Sequence, residues 1–252
     1  MTMINPTLQE AVAAKQEGRD DDALRLLLTF YDQDGHLDPE VGDSRNIASY
    51  LWQLLVPCHP PARDALIRMR ERQVSKLLAG DHVYSADVRR PRSRFEIVAD
   101  MNGILKDSRS TYDLFVRFES LLPDLARRQA YRALPAMVEA GDFARADRYL
   151  ADPLEQLGHL NGLAPHLPLF PPAGVPPRLA GELSNFMRDV RLREATLRGL
   201  GREAEAQTLR AAALAGIVSD EMRTLAEREI AEPGTIIREV SEHREAQDGP
   251  GP

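Results

Sequence analysis

Residues 32–40, Asp-Gln-Asp-Gly-His-Leu-Asp-Pro-Glu, set carboxylates at alternate positions around a glycine, as a calcium-binding loop does. The register does not fit one. With Asp32 first, the sixth position, where the loop needs glycine, is Leu37; with Gly35 sixth, the first position is Phe30 and the twelfth is Val41. The segment reads as a solvated acidic loop. Six histidines occur, His36, His59, His82, His159, His166 and His243, and no two form His-Glu-x-x-His or stand one helical turn apart. No metal or other cofactor is expected. Cys58 adjoins His59 between Pro57 and Pro60. Chain neighbours are poorly placed to act on each other as nucleophile and base, so Cys58 reads as a loop thiol packed on an apolar surface. No Gly-x4-Gly-Lys-Ser/Thr, Gly-x-Gly-x-x-Gly or Gly-x-Ser-x-Gly motif is present. The carboxylates are too dispersed to nominate a catalytic pair, and no catalytic residue is assigned.

One feature rises above this background. Residues 63–94 carry nine basic and four acidic side chains, inside a chain whose formal net charge is −7. The basic residues centre on Arg89-Arg90-Pro91-Arg92-Ser93-Arg94, directly before a helix start, with Arg68 and Arg72 upstream. Arginine forks beside free helix N–H groups are suited to a phosphate or an acidic partner segment. The bland reading is that these arginines pair with carboxylates of their own chain. Arg68, Arg72, Arg89, Arg90, Arg92 and Arg94 are the candidate partner-binding residues.

Composition bounds the rest. The chain has 252 residues, 43% hydrophobic and 28% charged, the make-up of a soluble globular protein. Its acidic balance argues against bulk nucleic-acid binding. No run of about 18 apolar residues exists to span a membrane, and no signal peptide is visible at Met1–Pro6. A single cysteine excludes an internal disulfide and fits a reducing, cytoplasmic setting. Ala, Leu, Arg and Glu dominate and strand-like alternation is missing, so the expected fold class is all-α.

The positioning elements follow from apolar periodicity. Helices are expected near 7–17, 20–31, from a Ser44 cap to about 56, 60–78, from the Ser93-x-x-Glu96 capping box, and from a looser box at Ser110-x-x-Asp113. Residues 81–92 look irregular. A helix over 124–140 should kink at Pro135, with two shorter ones at 143–151 and 153–160. Residues 165–177 hold six prolines and mark a stiff connector between a first domain, 1–164, and a C-terminal hairpin, 178–240. Helices at 178–198, 202–216 and 219–231 follow. Met187 and Leu192 lie off the main stripe of the first, which leaves intrachain packing and a homo-oligomer seam both open. Residues 241–252 read as a disordered tail.

Three segments share one pattern: Gly18-Arg-Asp-Asp-Asp-Ala23, Gly141-Asp-Phe-Ala-Arg-Ala146 and Gly201-Arg-Glu-Ala-Glu-Ala206. Glycine permits the positive φ of a tight helix–helix turn, and the small alanine lets the second helix pack closely on the first. With Ala11 and Ala14 before the first turn and Leu150 after the second, this resembles the tetratricopeptide family. Unlike that family, whose period is about 34 residues, these turns are unevenly spaced, and the family's Trp-Leu-Gly-Tyr signature is missing. The resemblance implies stacked helical hairpins forming a right-handed solenoid; an irregular helical bundle is the other arrangement. It also implies a groove that binds a protein or peptide. The leading functional reading is therefore a non-catalytic interaction module: an adaptor, a chaperone or a protective partner. The alternatives are a helical enzyme or small-ligand binder with a site assembled from distant helices, and a regulator touching phosphate or nucleic acid through residues 63–94.

Overall fold

Several helices in this chain stop at a glycine in the left-handed backbone conformation, which Lys106 also adopts at a helix end. Gly18, Gly141 and Gly201 have φ of 75°, 76° and 74°. Around each, the hydrogen bonds repeat. Gly18 N–H donates to the Lys15 carbonyl and Arg19 N–H to that of Ala14; Gly141 and Asp142 donate to Val138 and Met137; Gly201 and Arg202 donate to Arg198 and Leu197. These are Schellman turns, which satisfy carbonyls that a helix end leaves free. Ala23, Ala146 and Ala206, five residues on, are each 0% exposed. The expected turn is present at all three places.

The computed structural model describes residues 5–33, 42–85, 92–172 and 174–248. The fold is all-α. The chain groups into two compact units, Met1–Ala136 and Met137–Pro252.

In the first unit, α1 (Pro6–Gln16) and α2 (Asp20–Gln33) form a hairpin, followed by α3 (Gly42–Leu55) and α4 (Pro60–Leu78). A two-stranded antiparallel ribbon, β1 (Val83–Ser85) and β2 (Arg92–Ser93), leads into α5 (Arg94–Leu105). Then come α6 (Ser108–Leu121), α7 (Pro123–Gln129) and α8 (Leu134–Glu139), which crosses the unit boundary. The core gathers Leu8, Leu27, Phe30, Trp52, Leu66 and Met101 from α1 to α5. Phe95 stacks on Phe118 and meets Phe115 edge-on, all three buried.

The second unit holds α9 (Phe143–Tyr149), α10 (Leu157–Leu163), α11 (Arg178–Gly199), α12 (Glu203–Gly216), α13 (Asp220–Ala231) and α14 (Thr235–Asp248). Its core runs along α11 through Leu183, Phe186, Met187 and Val190. Met187 is 0% exposed, so intrachain packing takes this off-stripe residue.

Several expectations need correction. The chain divides at Ala136/Met137, one residue after Pro135, and the proline-rich stretch 165–177 falls inside the second unit. That stretch is not a free connector, because Leu169 is buried in the second unit's core. The helix expected over 124–140 is broken into α7, a 3-10 turn at Ala130–Arg132, and α8; Pro135 lacks the N–H that a continuous helix would use. Two expected caps differ: α3 starts at Gly42, before Ser44, and α6 is capped by Asp107, whose carboxylate accepts the Ser110 N–H at 3.1 Å. The ribbon lies where an irregular segment was expected. Finally, residues 241–248 continue α14, held by buried Ile236 and Val240.

One close approach yields a stability prediction. A Cβ placed on Gly199, near the end of α11, would run into the Phe143 ring of α9. Gly199→Ala should cost about 1–3 kcal/mol of overlap, partly offset by roughly 1 kcal/mol of helix propensity. A thermal melt should show a Tm lower by a few degrees; an unchanged or higher Tm would contradict the packing.

Candidate functional site

The basic segment separates into arginines the chain uses itself and arginines it leaves exposed. Arg92, on β2, donates to Glu96 at 2.9 Å and Asp100 at 2.6 Å. Arg132 reaches the same two carboxylates at 2.7 and 3.1 Å. Burial opposes the charge on Arg92 and Arg132, but it is outweighed by the two carboxylates at Arg92, and by the Tyr131 hydroxyl together with those carboxylates at Arg132, so both stand above the ordinary arginine value. Arg94, 6% exposed, donates to the Asp81 carbonyl at 2.8 Å, the Asp81 carboxylate at 2.7 Å and the Val83 carbonyl at 2.8 Å, and bonds Gln73. Its guanidinium also lies 5.7 Å from the Tyr84 ring centroid. The Arg94 hydrogen bond holds the Asp81 carboxyl below its usual range. These two arginines fasten the ribbon to α4 and α5.

The start of α5 is also occupied. Ser93 Oγ accepts the Glu96 N–H at 3.1 Å, the half of the expected capping box that forms. The Arg94 N–H donates to the His82 carbonyl at 2.9 Å. The Arg92 and Arg94 guanidiniums and the Arg94 and Glu96 N–H groups thus have partners within the chain. Arg89 and Arg90 lie outside the described residues, as do residues 34–40 of the acidic loop.

Arg68 and Arg72 behave differently. Both are exposed on α4 and make no ion pair among the described residues. Next to them is a feature that sequence reasoning missed: a cleft of about 320 Å³ lined by Arg70, Val74 and Ser75 of α4, Asn102 of α5, and Ser110 and Arg117 of α6. Its floor is fixed by polar bonds. Arg70 donates to Asn102 Oδ1 at 3.2 Å and Asp107 at 2.7 Å, and buried Asn102 donates to Thr111 Oγ1 at 3.0 Å. Burial would push the Asp107 carboxyl up, but bonds from Ser110 and Arg70 outweigh it and hold it low. The Arg70–Asp107 and Arg109–Asp113 pairs are balanced. Arg117 is exposed with no ion pair among the described residues. Glu71, 4.0 Å from Arg70, and Asp113 also line the cleft, so its wall sets Arg70 and Arg117 against two carboxylates, and the exposed Arg68 and Arg72 lie elsewhere on α4. No local spacing announces this site, because Arg70, Asn102 and Arg117 come from three helices.

Cys58 departs from its expected setting. It is exposed, donates to the Leu54 carbonyl at 3.1 Å and lies 3.4 Å from Lys15 Nζ. His59 Nε2 instead lies 3.3 Å from Asp21. The thiol sits among polar groups of the α1–α2 hairpin, 3.4 Å from Lys15 Nζ and 3.9 Å from Asp20 Oδ2. Among the described residues no group of three His, Cys, Asp or Glu side chains could hold a metal ion, and no helix is long and apolar enough to cross a membrane. No family model, curated protein or solved structure matches the chain.

Proposed function

We propose that this chain is a non-catalytic interaction module, and that α4 with the neighbouring cleft receives an acidic segment of a partner protein. The observation that carries the reading is that Arg117 in the cleft wall, and Arg68 and Arg72 elsewhere on α4, are exposed and free of ion pairs among the described residues. Carboxylates meeting these arginines gain charge-assisted hydrogen bonds and faster encounter. The paired groups at the cleft fix its shape while the unpaired arginines supply the attraction. The Gly-x4-Ala segments, on which the sequence resemblance to the tetratricopeptide family rests, point to the same class of function. The lone cysteine fits work in a reducing cytoplasm.

Recovery of the tagged protein from its own cells tests this reading. One stoichiometric protein partner should come with it, survive nuclease treatment, and be lost from the triple variant Arg68→Gln, Arg72→Gln, Arg117→Gln. Material removed by nuclease, or a partner retained by the triple variant, would contradict it.

A further inference from the structure

The cleft between α4, α5 and α6 carries both signs of charge, and that decides which segment it can take. Arg70 is committed to the fold: its side chain, 15% exposed, is held by Asp107 at 2.7 Å and by Asn102 at 3.2 Å. Three other charges in the lining are held loosely or not at all. Glu71 lies 4.0 Å from Arg70, at the limit of an ion pair, and its side chain is 65% exposed. Asp113 pairs with Arg109 at 3.0 Å, but both side chains are more than half exposed, and water screens such a pair. Asp113 and Arg117 stand four residues apart on α6, a spacing that places them on one helix face. Asp113 nevertheless pairs with Arg109, and Arg117 is left without an ion pair among the described residues. Val74, partly buried, and Leu114, buried, add apolar surface to the same lining.

A wholly acidic segment would reach Arg117 and be repelled by Glu71 and Asp113. A phosphate group, with its larger negative charge, would be repelled more strongly. A segment that brings one carboxylate and one cation satisfies all three groups. Like charges set against the wrong partner are a source of specificity.

We infer that the cleft selects a charge-mixed segment of the partner: a carboxylate for Arg117, a lysine or arginine for Glu71 and Asp113, and an apolar side chain for Val74 and Leu114. Glu71 and Asp113 thereby determine specificity. The inference rests on the interaction reading and narrows it from acidic segments at large to those that carry a basic residue.

Fluorescence anisotropy at low salt with two labelled peptides tests it. One is Glu-Glu-Leu-Lys-Glu-Leu-Glu-Glu, and the other has glutamine in place of the lysine. The parent protein should bind the lysine peptide about fivefold more tightly, the upper scale of one exposed ion pair. The variant Glu71→Gln, Asp113→Asn, altered at two exposed positions, should melt at the parent's temperature, lose that preference, and bind the glutamine peptide more tightly than the parent does. Equal binding of the two peptides by the parent would overturn the inference and leave the interaction reading standing. So would a lysine preference that persists in the variant, as general attraction by an acidic chain would produce. If neither peptide binds the parent saturably, the inference and the interaction reading fall together.

Discussion

Replacing Glu229 with alanine is expected to lower the stability of the second unit by about 3–5 kcal/mol, the scale of breaking a buried charge network by removing one partner. Glu229 lies on α13 and is 2% exposed. Its carboxylate accepts the Gly234 N–H at 3.0 Å and the Ile236 N–H at 3.0 Å, and takes Arg191 Nη1 of α11 at 2.5 Å. One side chain thereby caps the start of α14 and ties it to two other helices. Burial would push this carboxyl up, but the backbone donors and Arg191 outweigh it and hold it below the ordinary value of 4.5. The pH dependence follows in sign. A group whose folded value is depressed stabilises fully above its unfolded value, and the contribution is lost as pH falls through the folded one. Glu229→Gln should thus lose stability at pH 7, with the gap to the parent protein closing progressively below about pH 4.5. Denaturant unfolding across that range measures it. A pH-independent gap would mean that the charge plays no part.

The second large effect separates structural from surface arginines. Arg94→Gln should cost about 2–4 kcal/mol, because it leaves the Asp81 and Val83 acceptors without their buried donor. Arg68→Gln and Arg72→Gln, exposed on α4, should each stay within about 0.5 kcal/mol. Thermal melts of the three variants decide the matter. Equal losses would contradict the division drawn here. A combined exchange of Arg89, Arg90, Arg92 and Arg94 would therefore perturb folding as well as any binding.

The legible parts of this sequence are those governed by short-range physics. The Gly-x4-Ala segments specify their turns because glycine alone adopts that φ cheaply, and the stripe Leu179, Leu183, Phe186, Val190 of α11 sets its own buried face. What escaped depends on tertiary partners. Val83–Ser85 is too short to alternate, and its partner Arg92–Ser93 has no apolar residue, so the ribbon left no pattern. It is held by Arg94, whose acceptors are 11 and 13 residues away. The boundary at Ala136/Met137 was hidden behind the conspicuous prolines of 165–177, which the second core absorbs through Leu169. The cleft was illegible for the same reason: Asn102 and Thr111 meet only after α5 and α6 fold against each other.

The central claim is that the exposed arginines around α4 recognise acidic protein segments. Fluorescence anisotropy with a labelled eight-residue glutamate peptide tests it most directly, at low salt and at about 0.3 M salt. The parent protein should bind saturably and weaken steeply with salt, as screened rim charges do. The Arg68→Gln, Arg72→Gln, Arg117→Gln variant should bind about tenfold more weakly at low salt while melting at the parent's temperature. Equal affinity of the folded variant and the parent would contradict the account.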